Sequence, residues 1–179
     1  MKRRFRIVLL AVCLLSGMLS CQRGPESRPK PRASFVEEIN ALVDAPKTNL
    51  GQRRESIRAR LGPWVSLETR EVPNLHEEGK IDHIYTIKYE GLVLGVYEVV
   101  AYKKEMLLAA TMTRNWSHLL PELIGLDREA LEGRFGPPSR IVDGFLEYVS
   151  SKEDEAEELV RIKMKGNTVE VVEWEYYVD

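Results

Sequence analysis

The chain has 179 residues, of which 30% are charged and 44% are hydrophobic, a balance typical of globular proteins. From Ser34 onward it carries 18 basic and 27 acidic residues, a formal charge of −9. Nucleic-acid binding needs a basic surface that displaces counterions from phosphates, so this charge disfavours nucleic acid, and we expect none as a partner. Both cysteines, Cys13 and Cys21, lie near the N-terminus, so the rest of the chain has no internal disulfide to form.

The N-terminus has the pattern of a secretory signal sequence. Four basic residues lie among the first six, and an apolar run follows over residues 7–15. This run is shorter than the roughly 20 apolar residues that span a bilayer. The pattern therefore predicts a signal sequence over residues 1–20 and not a membrane anchor.

The residues around Cys21 resemble the lipobox of bacterial lipoproteins, with Leu19 and Ser20 directly before the cysteine. The resemblance implies cleavage before Cys21 and a diacylglycerol on its sulfur. The next residue is Gln22 and not Asp, and resemblance to lipoproteins sorted by that position favours the outer membrane, facing the periplasm. The alternative is an ordinary secretory signal with an incidental cysteine.

Residues 22–33 are rich in proline and arginine and contain no residue able to start a core. Such a composition predicts an extended tether, so Cys21 and these residues form one segment, 21–33, that anchors the chain. In polyproline geometry the tether would hold the following domain roughly 35 Å from the membrane.

The folded part contains an internal repeat. Residues 50–63 recur as residues 124–137 without a gap, with six identities in 14 positions. The apolar positions Ile57 and Leu61 also recur, as Leu131 and Phe135. Their i, i+4 spacing predicts a short helix with one apolar face in each copy.

Each predicted helix has start and stop signals. Asp127 stands where the second helix needs an N-cap, whereas the first copy has Arg53 at that position. Both copies close with a Gly-Pro pair, which is expected to end the helix.

After each helix the apolar residues alternate, which predicts antiparallel strands. Polar loops are expected over 71–80 and 153–158, and an additional helix over 34–49 has the apolar stripe Phe35, Ile39 and Leu42. The predicted strands are 64–69, 81–89, 92–101, 106–113, 139–142, 145–151, 159–165 and 168–178. The pattern predicts an α+β fold made of two tandem helix-plus-antiparallel-meander repeats, over residues 50–120 and 121–179.

A short helix, Gly-Pro and then three or four strands resembles the SmpA/OmlA lipoprotein repeat, the fold of the small lipoprotein subunit of the outer-membrane barrel-assembly machinery. A tandem of such units resembles the β-lactamase inhibitor protein. The resemblance covers about residues 50–179. It implies one extended curved sheet with helices on one face, and a non-enzymatic envelope lipoprotein that binds another envelope protein in outer-membrane assembly or maintenance.

Aromatic residues on the predicted strands are the candidate partner-binding residues, because tyrosine and tryptophan are enriched at protein interfaces. Core packing is the alternative for about half of them, and Tyr177 is the candidate for the open face because it is out of phase with Trp174. The candidates are Tyr85, Tyr89, Tyr97, Tyr148, Trp174 and Tyr177.

Candidate chemistry is sparse. His76, Asp82 and His83 form the densest cluster of metal-capable side chains, but their spacing matches no ligand motif. The sequence has no nucleophile elbow and no phosphate-binding glycine loop. We therefore expect no enzymatic activity, no metal and no cofactor.

Two other functions stay open. The chain would be a proteinaceous inhibitor of a secreted or periplasmic hydrolase if it were not lipidated and its partner were soluble. It would be a small-ligand or metal-binding envelope protein if the His76–His83 region converged.

Overall fold

A computed structural model describes residues 33–74, 76–151 and 157–177. The predicted signal sequence, Cys21, the tether up to residue 32 and most of the predicted loop 153–158 lie outside the described residues. The described residues form three α-helices and one open eight-stranded antiparallel sheet. The prediction of an α+β fold is confirmed.

The helices are α1 (Ala33–Leu50), α2 (Arg54–Leu61) and α3 (Arg128–Phe135). The helix predicted over 34–49 is thus confirmed, and its residues Ile39 and Leu42 are buried. Phe35 at its N-terminal end is partly buried against the same core.

The ends of α2 and α3 follow the sequence signals. Gly62 and Gly136 end the two helices with φ of +80° and +75°, backbone angles that glycine adopts without strain. The Asp127 side chain accepts the Ala130 N–H at 2.7 Å and caps α3 as predicted. Arg53 gives α2 no side-chain cap.

The eight strands are β1 (Ser66–Pro73), β2 (Ile81–Tyr89), β3 (Leu92–Val99), β4 (Lys104–Met112), β5 (Arg140–Val142), β6 (Phe145–Val149), β7 (Leu159–Lys165) and β8 (Thr168–Glu175). The strand order is β1-β2-β3-β4-β8-β7-β6-β5, so two four-stranded meanders meet where β4 pairs with β8. The strands predicted over 81–89 and 159–165 have the predicted bounds.

Several sequence-based boundaries are wrong. The first strand does not begin at Trp64, and the loop expected from Glu71 begins only after Pro73, because residues 71–73 pair with β2. The polar composition of this segment suits an edge strand, which has only one strand neighbour and needs few apolar side chains. The strand expected to reach residue 101 ends at Val99, where a short 3₁₀ helix begins.

A side chain of the sheet supplies the hydrogen bond that a proline removes from α1. Pro46 has no N–H, so it donates no hydrogen bond to the carbonyl of Leu42 four residues earlier. The indole Nε1 of Trp174 in β8 donates to this carbonyl at 2.9 Å. The Tyr176 hydroxyl donates to the next carbonyl, that of Val43, also at 2.9 Å. These two bonds fix α1 on the end of β8.

The two faces of the sheet differ in burial. One face, here called the helix face, supplies the residues of the core that pack with all three helices, such as Ile87, Val160 and Trp174. The residues that alternate with these along each strand lie on the other face, here called the open face. Examples are Ile84, Tyr97 and Arg161.

Candidate functional site

The structure separates the six predicted partner-binding aromatic residues by face. Four of them lie on the helix face and are buried, with exposed fractions between 0% and 7%. These are Tyr85, Tyr89, Tyr148 and Trp174. In this structure their rings pack in the core and are not presented to a partner.

Two of these buried rings have equivalent contacts at the helix ends. The Tyr89 hydroxyl donates to the carbonyl of Gly62 at 3.2 Å, and the Tyr148 hydroxyl donates to that of Gly136 at 3.3 Å. Burial raises the pKa of both phenols. Both hydroxyls therefore stay protonated donors that hold a helix end against the sheet.

The remaining two aromatic candidates line a cavity of about 420 Å³. Tyr97 lies at its base with an exposed fraction of 8%, and Tyr177 lies at its rim with an exposed fraction of 60%. Ile84, directly opposite Tyr97 in the pairing of β2 and β3, is also part of the lining. The complete lining is Val72, Pro73, Ile84, Tyr97, Leu108, Tyr176 and Tyr177. Its side chains are apolar or aromatic, as in sites that accept an apolar group.

A buried carboxylate fixes the base of this cavity. Asp82 is fully buried and accepts the Tyr97 hydroxyl at 2.5 Å. It also accepts Nδ2 of Asn74 at 2.7 Å and the backbone N–H of Val100 at 3.0 Å. Burial alone would raise the pKa of Asp82, but these three hydrogen bonds outweigh it and hold the pKa below its usual value. Burial and the bond to Asp82 together raise the pKa of Tyr97 to about 12.

The metal-capable cluster proposed from the sequence does not come together. Asp82 and His83 are consecutive in β2, so their side chains point to opposite faces of the sheet. Nδ1 of His83 lies 3.2 Å from the Tyr85 hydroxyl and 3.4 Å from Oε2 of Glu98. His76 is exposed in the loop before β2. Within residues 33–74, 76–151 and 157–177, no group of three or more His, Cys, Asp or Glu side chains is placed to hold a metal ion.

A polar cluster that sequence reasoning missed joins α2 to the helix face. Oε2 of Glu105 in β4 accepts the backbone N–H of Arg54 at 2.7 Å, and Oε1 accepts its side-chain Nε at 2.8 Å. The Arg54 guanidinium also lies 3.5 Å from the centre of the Tyr85 ring. The Tyr85 hydroxyl donates to Glu98, and this bond lowers the pKa of the Glu98 carboxyl. Glu105 thus supplies the first turn of α2 with the acceptor that Arg53 does not provide.

The open face over β5–β8 carries a network of charged side chains. Arg161 in β7 lies 3.4 Å from Glu147 in β6 and 3.1 Å from Glu175 in β8, and Arg140 also pairs with Glu147. The Arg161 guanidinium lies 4.3 Å from the centre of the Phe145 ring. The outward direction of the β7 charges was predictable from their alternation with Val160 and Ile162, but the partners across strands were not.

Comparison of the chain with protein-family models, curated proteins and solved structures found no match. The resemblance to the SmpA/OmlA repeat and to the β-lactamase inhibitor protein therefore stays a prediction from the residues. Among the described helices, none is long and apolar enough to cross a membrane.

Proposed function

We propose that the chain is a non-catalytic lipoprotein of the bacterial cell envelope that binds another envelope protein through the open face. In this proposal Cys21 carries the lipid and holds the protein at the outer membrane, facing the periplasm. The observation that carries the binding role is the apolar cavity of about 420 Å³ with the exposed ring of Tyr177 at its rim. An apolar centre beside charged side chains is the usual composition of a protein interface.

The open face supplies both kinds of contact. Val93 is 37% exposed on the open face of β3, four residues before Tyr97. On the same open face, Glu173 and Glu175 of β8 lie beside Arg161 of β7. An aromatic or aliphatic side chain of the partner would enter the cavity and carry most of the binding energy, while the charged residues would orient the partner.

We also propose that α2 with β1–β4 and α3 with β5–β8 are two tandem repeats that form one curved sheet. The equivalent hydrogen bonds of Tyr89 to Gly62 and of Tyr148 to Gly136 support this proposal. The pairing of β4 with β8 also supports it, because it joins the last strand of one unit to the last strand of the other. The role in outer-membrane assembly or maintenance rests on the resemblance to the SmpA/OmlA repeat.

A small apolar ligand is the second candidate, and the volume and apolar lining of the cavity favour it. A ligand and a protein partner differ in what they need. A ligand needs only the cavity, whereas a protein also contacts Val93 and the charged residues outside it. The two functions are therefore distinguishable by position.

Photo-crosslinking in intact cells tests the protein-binding role. A photoreactive phenylalanine derivative replaces Tyr177 or Val93 on the open face, or the exposed Glu129 on α3 as the matched control. We expect one dominant envelope-protein adduct from the first two positions and none from Glu129. Leu108→Glu, which places a charge in the cavity, should abolish both adducts.

Adducts of equal strength at Glu129, or none at either open-face position, would contradict binding through this face. A soluble hydrolase as the sole adduct would favour the inhibitor function. The anchor is tested separately with Cys21→Ser, which should move the chain from the membrane fraction to the soluble fraction. If the unaltered chain is already soluble, the lipoprotein assignment is wrong whatever the crosslinks show.

A further inference from the structure

The strand β1 is an open edge of the sheet. It pairs with β2 on one side and, within the described residues, has no strand on the other. Residues 67–71 along it are all exposed. An edge strand of eight residues offers a row of free backbone groups to which another strand can add.

The pairing of β1 with β2 decides which groups are free. The N–H of Asn74 donates to the carbonyl of Lys80 at 2.9 Å, in the same register that places Pro73 opposite Ile81. Hydrogen-bonded residues alternate along an antiparallel pair. The even-numbered residues of β1 therefore point their backbone groups at β2, and Leu67, Thr69 and Glu71 point theirs outward.

We propose that a second copy of this chain binds the edge, with the two β1 strands antiparallel about a twofold axis at Thr69. In this register Thr69 faces the partner's Thr69, and Leu67 faces the partner's Glu71, so every outward backbone group in this stretch meets a partner. The two strands would form about six main-chain hydrogen bonds.

Charge complementarity favours a second copy of the chain, paired in this register. Glu68 and Arg70 both lie on the open face, and the axis at Thr69 places each Glu68 opposite the partner's Arg70. These positions are the ones without main-chain hydrogen bonds, where cross-strand side chains are closest. Moving the axis to residue 68 would set Glu68 against the partner's Glu68, and moving it to residue 70 would set Arg70 against the partner's Arg70.

The pair Glu68–Lys88 leaves room for this contact. Oε1 of Glu68 lies 2.5 Å from Nζ of Lys88, but the Glu68 side chain is 63% exposed. A carboxylate accepts several hydrogen bonds, so it can bind Lys88 and the partner's Arg70 together. The dimer does not depend on the proposed function, and it would place the open faces of both copies on the same side of one continuous sheet.

Charge reversal tests the proposal on the purified full chain in detergent, by sedimentation equilibrium. Glu68→Arg and Arg70→Glu each set like charges opposite each other twice, so each should weaken self-association roughly tenfold. The double variant Glu68→Arg/Arg70→Glu restores opposite charges and should recover the affinity. A monomeric unaltered chain, or single variants that associate as strongly as it does, would overturn the proposal.

Disulfide formation tests the register in a background with Cys13→Ser and Cys21→Ser. Thr69→Cys would place two cysteines with Cα atoms about 5.5 Å apart, within the range of a disulfide. Leu67→Cys is the matched control, because its two copies would lie roughly 14 Å apart. We expect a disulfide-linked dimer from Thr69→Cys alone. Linkage through Leu67→Cys, or through neither, would refute this register.

Discussion

The hydrogen bond from Trp174 to the Leu42 carbonyl exists because Pro46 cannot donate to that carbonyl. Trp174→Phe keeps an aromatic ring in the core and removes the indole N–H. The carbonyl then has neither its helical donor nor its tertiary donor, and Trp174 is fully buried, so water does not replace the bond. An unsatisfied buried acceptor costs about 1–3 kcal/mol, in addition to the packing lost with the smaller ring.

The variant Pro46→Ala separates the two contributions. The substituted alanine would restore the helical N–H to the Leu42 carbonyl, so Trp174→Phe in that background loses packing but orphans no acceptor. The packing loss is common to both backgrounds and cancels in a double-mutant cycle. We therefore expect a coupling energy of about 1–3 kcal/mol between positions 46 and 174.

Urea unfolding of the four proteins, followed by far-ultraviolet circular dichroism, gives the free energies of unfolding for this cycle. Trp174→Phe should be less damaging in the Pro46→Ala background than in the unaltered chain. If it costs the same in both, within about 0.5 kcal/mol, the Leu42 carbonyl does not depend on the indole and the reasoning is refuted.

Three further predictions concern stability. Gly136→Ala should lower the free energy of unfolding by about 1 kcal/mol more than Gly62→Ala does, as measured by thermal unfolding. Both glycines have positive φ, but only at Gly136 would the new Cβ meet a ring, that of Phe35, at 2.7 Å. Equal losses would contradict this contact. The pKa of the Asp82 carboxyl is lowered on folding, so its contribution to stability is present above the unfolded pKa and is lost as pH falls through the folded pKa. Asp82→Asn should therefore reduce the loss of stability that occurs as the pH falls below about 4. An unchanged loss would show that Asp82 does not cause it. Glu105→Gln should lower the free energy of unfolding by about 1 kcal/mol, since Glu105 accepts hydrogen bonds from both the backbone and the side chain of Arg54. Amide hydrogen exchange should become faster in α2 but not in α3. An equal increase in both helices would argue against this local role.

The buried tyrosines show the limit of sequence reasoning about the candidate site. Alternation places Tyr85 and Tyr89 on one face of β2, but it does not say whether helices cover that face. The cavity depends on Tyr97 and Leu108 from different strands and on Tyr177 after the last strand, so no single segment predicts it. Only the exposure of Tyr177, which is out of phase with Trp174, was indicated by the sequence.

The sequence by itself determined some of the local elements of this protein. The spacing of apolar residues and the Gly-Pro pairs set α2 and α3, Asp127 capped α3, and alternation set the bounds of β2 and β7, because each of these signals acts within a few residues along the chain.

Only the tertiary structure decided which partners satisfy the hydrogen-bonding groups of these elements. The acceptor at the start of α2 comes from Glu105, 51 residues away, and the donor for the carbonyl freed by Pro46 comes from Trp174, 132 residues beyond Leu42. The strand Ser66–Pro73 extends through a polar segment because β2 supplies its hydrogen bonds. Such partners are fixed by the meeting of distant segments and by the burial of polar groups that must then be paired, and neither is encoded in a local pattern.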